Sequence, residues 1–158
     1  MKIAVITVSD SVSLGEREDL SGPAVVARCE ALGWQVAARF VVPDEQAKIQ
    51  AYLLRLSDLD QFDLVLTTGG TGLGPRDVTP EATESIAQRL VPGFAEEMRR
   101  KGLESTPRAA MSRAIAAIRG NTLILNLPGS PKGAVQSLDA VAALLPHAID
   151  VMRGARHD

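Results

Sequence analysis

The sequence contains few of the residues on which several classes of protein depend. Its single cysteine, Cys29, excludes an intrachain disulfide and a cysteine-rich zinc site, and is typical of a reducing compartment. Aromatic residues make up only 3% of the chain, which argues against binding single-stranded nucleic acid by stacking. The 17 lysines and arginines are outnumbered by 19 aspartates and glutamates, so a net charge of −2 offers no positive field to a nucleic-acid backbone. We therefore expect no binding to DNA or RNA.

Long apolar runs are also absent. No stretch approaches the roughly 18 apolar residues that a membrane-spanning helix needs. The apolar run after Lys2 ends at Ser9, which is too short for the hydrophobic region of a signal peptide, and no small-residue cleavage site follows it. We expect a cytoplasmic protein with no membrane segment.

The remaining composition is that of one ordinary globular domain spanning residues 1–158. Hydrophobic residues make up 46% of the chain and charged residues 23%, close to the average of soluble domains. A chain of 158 residues is long enough to bury a core without disulfides or metals. The two histidines, His147 and His157, lack partners of metal-ligand type, so we expect both to be structural or exposed.

Strand patterns and helix patterns alternate along the chain. Short apolar runs predict strands over residues 2–9, 34–42, 62–68 and 122–127. Helices are predicted to begin at the N-caps Ser21, Thr79 and Ser130 and at residues 43–45. Two further helices are predicted over residues 93–103 and 107–117. Pro146 is predicted to kink or divide the C-terminal helix. Residues 10–19 are predicted to form a loop. The alternation favours an α/β fold of three layers, α/β/α, around a mostly parallel sheet.

Four polar or glycine-rich segments follow the predicted strands: residues 9–10, 42–44, 67–77 and 127–133. In open α/β sheets, ligands bind beyond the carboxyl ends of the strands. The four segments are therefore expected to meet at one edge of the sheet and form a binding site.

The most informative segment, residues 67–80, reads Thr-Thr-Gly-Gly-Thr-Gly-Leu-Gly-Pro-Arg-Asp-Val-Thr-Pro. Glycines let backbone amides approach a phosphate closely, and the following helix N-terminus adds positive partial charge. The segment is neither a P-loop, since Pro75 and Arg76 follow Gly74, nor a dinucleotide fingerprint, since Pro75 stands three residues after Gly72. A tight strand-to-helix turn is the alternative; Arg76 and Asp77 favour the handling of anions and metal.

Asp44 and Asp77 both stand between a predicted strand and a predicted helix. Mg²⁺ bound to a polyphosphate uses one or two protein carboxylates in addition to phosphate oxygens. An aspartate before a helix is also commonly a capping residue, and for Asp44 alone that role is the simpler interpretation. Capping explains Asp77 less well, because Thr79 is predicted to cap the same helix.

Residues 126–133 form a third segment, Asn-Leu-Pro-Gly-Ser-Pro-Lys-Gly, which sets Ser130 and Lys132 at a helix start suited to phosphate. A plain turn is equally compatible with this segment taken alone.

Together these segments closely resemble the molybdopterin adenylyltransferases, the MogA-type proteins related to the G domain of gephyrin. The resemblance spans nearly the whole chain in order. It rests on residues 7–10, 19–22, 42–46, 67–72, 76–83, 111–113 and 127–132. The most specific part of the resemblance is the glycine-rich turn followed by Arg-Asp-Val-Thr-Pro.

The resemblance implies a MogA/MoaB-like fold, a homotrimer, and a reaction in which molybdopterin attacks the α-phosphate of Mg-ATP. Pyrophosphate leaves, and the adenylylated molybdopterin is prepared for molybdate insertion, with handover to a molybdate-inserting enzyme. Carried over residue by residue, it implies that Asp44 and Asp77 are catalytic and bind Mg²⁺. It assigns the nucleotide to Gly69, Gly70, Thr71, Gly72 and Arg76, and the pterin and phosphates to Ser9, Asp10, Ser112, Arg113, Ser130 and Lys132.

Two other readings stay open. A non-catalytic MoaB-like molybdopterin-binding protein shares the Gly-Gly-Thr-Gly turn but diverges after it, so Arg76 to Thr79 favour the enzyme. A pyrophosphatase-type relative of the CinA-like proteins would need a second catalytic domain. Lys132 and Arg113 are further expected to bind ligand phosphates and to contribute little to stability.

Overall fold

Six strands, five of which run in the same direction, form a single sheet in the computed structural model, which describes residues 1–156. The predicted domain runs to residue 158, so its last two residues, including His157, lie outside the described part. The strands are β1 (Ile3–Val8), β2 (Val36–Val42), β3 (Leu64–Thr68), β4 (Arg89–Leu90), β5 (Ala116–Arg119) and β6 (Thr122–Leu127). Their order is β2-β1-β3-β6-β5-β4, with β5 and β4 antiparallel to their neighbours.

Helices cover both faces of the sheet. They are α1 (Asp10–Ser13), α2 (Ser21–Ala31), α3 (Gln46–Leu54), α4 (Thr79–Ile86), α5 (Pro92–Leu103), α6 (Pro131–Val141) and α7 (Leu145–Met152). A π-helical turn, Arg55–Leu59, continues α3, and 3₁₀ turns cover Pro107–Met111 and Ala142–Leu144. Within residues 1–156, none of these helices combines the length and the apolar character required to cross a membrane.

The core consists of two apolar clusters, one on each face of the sheet. Ile3, Val5 and Leu66 belong to the cluster under α2, α5, α6 and α7, whereas Ile6 and Val65 belong to the cluster under α3 and α4. Successive side chains of a strand point to opposite faces. Strands buried on both faces therefore need continuous apolar runs, and the predicted three-layer fold with a mostly parallel sheet is confirmed.

Two predictions of local structure are wrong, one in each half of the chain. Residues 107–117 were expected to be helical, but only Pro107–Met111 forms a 3₁₀ turn, and Ala116–Arg119 is strand β5. Strand β5 is held by its antiparallel pairing with β6, in which Ala116 to Arg119 pair with residues 122–125. The predicted loop over residues 10–19 also contains the short helix α1.

The predicted helix starts are correct in position but not always in their caps. Ser130 is confirmed as an N-cap, since its Oγ accepts a hydrogen bond from the amide of Gly133 at 3.1 Å. Ser21 and Thr79 instead lie inside the first turn of their helices, which have Leu20 and Val78 as N-caps without side-chain bonds. The final helix is divided as predicted, with Pro146 in the first turn of α7.

Candidate active site

The loops that follow β1, β2, β3 and β6 meet at the carboxyl edge of the sheet, as the sequence predicts. Backbone bonds join the β3 and β6 loops: the amide of Gly69 donates to the carbonyl of Leu127 at 3.0 Å, and Thr68 Oγ1 donates to the carbonyl of Pro128 at 2.7 Å. The amide of Ser9 donates to the carbonyl of Val42 at 2.9 Å, which joins the β1 and β2 loops. Parallel register brings these strand ends together.

Two glycines allow the β3 loop to pass close to its neighbours. Gly69 and Gly70 have φ angles of 105° and 70°, which residues other than glycine rarely adopt. A Cβ at Gly69 would stand 2.3 Å from the carbonyl oxygen of Val8, and one at Gly70 would stand 2.2 Å from Thr79 Oγ1. Thr79 Oγ1 in turn donates to the carbonyl of Gly69 at 2.9 Å, so the buried threonine supports the turn from below.

Asp10, Asp44 and Arg76 form one polar cluster across three loops. The amide of Asp10 donates to Asp44 Oδ2 at 2.8 Å, and the amide of Asp44 donates to Asp10 Oδ1 at 2.9 Å. Arg76 then binds the Asp10 carboxylate with two donors, Nε at 3.0 Å and Nη2 at 2.9 Å. Within this cluster Arg76 forms its ion pair with Asp10 and none with Asp44.

The two carboxyl groups of this cluster have opposite electrostatic environments. The pKa of Asp10 is lowered below its usual value, chiefly by the hydrogen bond from the Arg76 guanidinium. The pKa of Asp44 is raised, chiefly because burial penalises its charged form, and the nearby charges of Asp10 and Asp77 add to the increase. The site therefore concentrates negative charge around Asp44.

The carboxylate of Asp77 closes the glycine-rich loop, defined here as residues 69–75. Its Oδ2 accepts the amide of Gly74 at 2.9 Å, and a Cβ at either Gly72 or Gly74 would lie 2.9 Å from that oxygen. Behind the loop, Arg113 donates to the carbonyls of Gly72 and Asp77, both at 2.7 Å. Asp77 is thus held at its carboxylate by Gly74 and at its carbonyl by Arg113. The capping role predicted for Thr79 does not distinguish Asp77, because Val78 is the N-cap of α4.

Two cavities open at this edge and share a boundary. The β1-side cavity, of about 670 Å³, lies against the β1 loop, Asp19 and the start of α2. The β6-side cavity, of about 410 Å³, lies between α5, the Pro107–Met111 turn and α6, and includes Met98 and Met111. Both cavities are lined by Gly70, Asp77, Gly129 and Ser130. Two ligands bound in these cavities would therefore meet beside Asp77.

Most of the predicted site residues line these cavities. They are Ser9, Asp10, Asp44, Gly69, Gly70, Thr71, Gly72, Asp77, Ser112 and Ser130. Among the described residues, three predicted ligands of anions line neither cavity: Arg76 bonds to Asp10, Arg113 bonds to loop carbonyls and Glu81, and Lys132 is exposed at the start of α6.

Three residues that the sequence reasoning did not assign to the site also line it. Asp19 accepts hydrogen bonds from Thr7 Oγ1 at 2.8 Å and from the amide of Gly22 at 3.0 Å. Asn126 is buried on β6, where its amide donates to the hydroxyls of Thr67 and Thr83. Asn126 is a polar residue within a predicted buried strand, and this was the available signal, because a buried side-chain amide needs hydrogen-bond partners.

Arg108 is the third such residue, and it lines the β6-side cavity. No described residue accepts a hydrogen bond or ion pair from its guanidinium, although its backbone amide donates to Thr106 Oγ1. The sequence predicted a helix here, and a residue within a helix gives no indication of the cavity that it faces. The cavity therefore has a cation available to an anionic ligand.

Asp44 and Asp77 offer oxygen ligands suited to a hard divalent cation. One oxygen of each accepts a backbone amide, and the Oδ1 atoms of both accept no hydrogen bond from the described residues. Within residues 1–156, no group of three or more histidine, cysteine, aspartate or glutamate side chains is arranged to hold a metal ion. The two carboxylates thus fit a cation whose other ligands come from phosphate and water.

The chain is similar over nearly its full length to proteins of one family. The family model described as "probable molybdopterin binding domain" matches residues 4–147. A molybdopterin adenylyltransferase of Helicobacter pylori is 43% identical over 96% of this chain and 88% of its own, and that of Escherichia coli K12 is 42% identical over 89% and 73%.

A crystal structure from Thermus thermophilus, named molybdopterin biosynthesis enzyme MoaB, is 49% identical, covers 99% of both chains and has a TM-score of 0.92. Names of both kinds, MogA and MoaB, therefore occur among similar proteins. The chain belongs to the family whose model is the molybdopterin-binding domain of molybdenum cofactor biosynthesis proteins.

Proposed function

We propose that this protein is a molybdopterin adenylyltransferase that transfers AMP from ATP to molybdopterin in molybdenum cofactor biosynthesis. The adenylylated product is ready for molybdate insertion in a later step. The identity of 42–43% with curated molybdopterin adenylyltransferases over most of the chain supports this assignment.

The observation that carries the proposal is the shared boundary of the two cavities. A transferase for two sizeable substrates needs two adjoining compartments, with the reacting atoms at their boundary. Asp77 and Gly70 line both cavities, and the start of α6 at Ser130 does as well. A phosphate from each substrate would meet at this boundary.

The reaction forms a bond between a terminal phosphate oxygen of molybdopterin and the α-phosphorus of ATP, and it breaks the bond to the β-phosphate. The attacking oxygen is already anionic, so no strong general base is needed, and catalysis rests on alignment and on stabilisation of charge. The N-termini of α2 and α6 both face the cavities and favour phosphate groups.

The substrate contacts implied by the resemblance are part of this proposal. The nucleotide is assigned to Gly69, Gly70, Thr71, Gly72 and Arg76, and the pterin and phosphate groups to Ser9, Asp10, Ser112, Ser130 and Lys132. Arg113, which the resemblance also assigns to the pterin and phosphates, is left out of this set because its guanidinium bonds to the carbonyls of Gly72 and Asp77 and to Glu81. For Arg76, contact with a phosphate requires that its bonds to Asp10 exchange, since both oxygens of Asp10 accept from its guanidinium.

Mg²⁺ is likewise part of the proposal, with Asp44 and Asp77 as the residues that would hold it. A bound divalent cation neutralises negative charge on the phosphates. Both residues line the β1-side cavity. In each carboxylate, Oδ2 fixes the side chain to the backbone, and Oδ1 accepts no hydrogen bond from the described residues.

A non-catalytic MoaB-like protein is the alternative function, and the similarity to a protein named MoaB is the observation in its favour. The residues Arg76 to Thr79, which follow the glycine-rich turn, favour the enzyme. The decisive experiment mixes the purified protein with Mg-ATP and molybdopterin and seeks adenylylated pterin by mass spectrometry. Formation of pyrophosphate and product supports the enzyme, whereas pterin binding without product would support the alternative.

The assembly and location predicted from the sequence complete the proposal: a cytoplasmic homotrimer that passes its product to a molybdate-inserting enzyme. Ten large hydrophobic side chains are exposed in the described chain, including Leu59, Leu103 and Leu144, so apolar surface is available for contacts between subunits. Sedimentation at micromolar concentration tests the trimer. A monomer would refute this part and leave the adenylylation proposal intact.

A further inference from the structure

Arg113 uses its guanidinium to connect the glycine-rich loop, and Asp77 just beyond it, with helix α4. Its Nε donates to the carbonyl of Gly72 and its Nη2 to the carbonyl of Asp77, both at 2.7 Å. Its Nη1 forms an ion pair with Glu81, in the first turn of α4, and its own backbone amide donates to the carbonyl of Thr71 at 2.9 Å. One side chain thus contacts the loop, the Asp77 peptide and the following helix.

The loop needs such an external support because its own sequence gives it little rigidity. Glycines stand at positions 69, 70, 72 and 74, and each has more backbone freedom than any other residue type. Two bonds hold Asp77 to the loop: its amide donates to the carbonyl of Gly74 at 3.0 Å, and its Oδ2 accepts the amide of Gly74. Both contacts end on a glycine, so they cannot by themselves fix the position of Asp77.

The charges of the clamp, defined as Arg113 with Glu81, are mutually satisfied. The Arg113 hydrogen bond lowers the pKa of Glu81, so the glutamate is ionised at neutral pH and holds the guanidinium against α4. The planar fork of arginine donates in several fixed directions at once, whereas lysine is a point donor on a flexible stem. The contacts to Gly72, Asp77 and Glu81 therefore require arginine specifically.

We propose that Arg113, anchored by Glu81, is a positioning residue that sets the place of the Asp77 carboxylate, rather than a ligand of a substrate phosphate. Its effect on catalysis rests on the proposed function, in which Asp77 acts on the nucleotide phosphates. Its effect on the loop does not, because the contacts are made by this chain's own residues.

The loop effect is tested by hydrogen exchange of backbone amides in the protein without substrates. Arg113→Lys and Glu81→Gln are compared with wild type. Arg28→Lys and Asp139→Asn are the controls, since that ion pair joins α2 to α6 with side-chain exposures of 38% and 41%, against 35% and 44% for Arg113 and Glu81. We expect the amides of Gly74 and Asp77 to exchange about fivefold faster or more in both clamp variants, from loss of one or two hydrogen bonds, and to be unchanged in the controls.

The catalytic effect is tested by steady-state adenylylation over a range of Mg²⁺ concentrations. Misplacement of a reacting group by about 1 Å costs on the order of a hundredfold in rate. We expect Arg113→Lys and Glu81→Gln to lower kcat by about tenfold or more and to raise the Mg²⁺ concentration for half-maximal rate, with little change in KM for molybdopterin. Glu81→Gln serves as the second variant if Arg113→Lys does not fold.

The opposite outcome is equally specific. If Arg113 binds a substrate phosphate, Arg113→Lys raises KM, and Glu81→Gln leaves kcat and the loop amides unchanged because it removes no ligand contact. That pair of results overturns the proposal. If wild type makes no adenylylated product, the proposed function fails, while the exchange measurement still decides whether the clamp holds the loop.

Discussion

Asp10 and Asp44 each accept the backbone amide of the other, at 2.9 and 2.8 Å, so two acidic residues bind one another without sharing a proton. The exchange joins the loops after β1 and β2, and it leaves Asp44 Oδ1 directed toward Gly70, where an added Cβ would lie 3.2 Å from it. Arg76 neutralises Asp10 but not Asp44. The site thus keeps one half-buried carboxylate, that of Asp44, whose charge is not paired.

Asp44→Asn is expected to make the protein more stable at neutral pH while reducing adenylylation. The folded pKa of Asp44 is raised above its ordinary value of 3.8 by burial. The ionised form is therefore disfavoured in the fold, and this cost is present above the folded pKa. It decreases as pH falls through that pKa and disappears below 3.8. The asparagine carbonyl can still accept the amide of Asp10.

Thermal unfolding of wild type and Asp44→Asn across pH measures this effect. The variant should melt higher at pH 7, with a difference that shrinks toward pH 4. Equal melting temperatures at pH 7 would show that the Asp44 charge is compensated in the fold.

Asp77→Asn should slow adenylylation by roughly two orders of magnitude, since loss of about 3 kcal/mol of transition-state stabilisation has that effect. The asparagine carbonyl can still accept the amide of Gly74, so the loop and the melting temperature should change little. The measurements are the adenylylation rate, its Mg²⁺ dependence and the affinity for molybdopterin. A near-normal rate with the same Mg²⁺ requirement would reduce Asp77 to a structural acid of the loop.

Gly70→Ala and Gly15→Ala form a matched pair, because their φ angles are nearly equal, 70° and 73°. A Cβ at Gly15 meets nothing within 4 Å, whereas one at Gly70 collides with Thr79 Oγ1. Gly15→Ala should cost about 1 kcal/mol of unfolding free energy for the left-handed backbone alone. Gly70→Ala should cost about 2–5 kcal/mol, because the steric clash adds to it. Denaturant unfolding measures both, and equal costs would mean that the loop adjusts freely.

Arg108→Met is expected to weaken binding of the substrate in the β6-side cavity by about ten- to a hundredfold, because one charge-assisted hydrogen bond is lost. Lys132→Met should also weaken binding, by about tenfold or less, because Lys132 is exposed and lines neither cavity. Both variants should keep the melting temperature of wild type.

Calorimetric titration with ATP and with molybdopterin measures these affinities, and Arg89→Met on the edge strand β4 is the control. Unchanged binding of both substrates in Arg108→Met would remove Arg108 from the site. Loss of stability with unchanged binding in Lys132→Met would make that lysine structural.

Local sequence was sufficient where the signal was a continuous apolar run or a turn. Residues 122–127 were predicted as a strand, and they form β6 with the same bounds. It was not sufficient for Ala116 to Arg119, a short segment whose strand pairing depends on β6 lying beside it. The N-cap assignment of Thr79 failed for a similar reason: its hydroxyl donates to the carbonyl of Gly69, ten residues earlier in the chain.

The sequence by itself determined the alternation of strands and helices, the four polar segments at the strand ends, and the acidic and glycine residues within them. These features follow from periodicity and from residue type, which act over a few positions. Only the tertiary structure decided which groups face each other: that Arg76 bonds to Asp10, that Arg113 clamps the Asp77 loop to Glu81, and that Asp77 stands between two cavities. Such pairings join residues up to 66 positions apart. They are determined by the parallel sheet, because strands that are far apart in sequence end at the same edge and bring their loops together there.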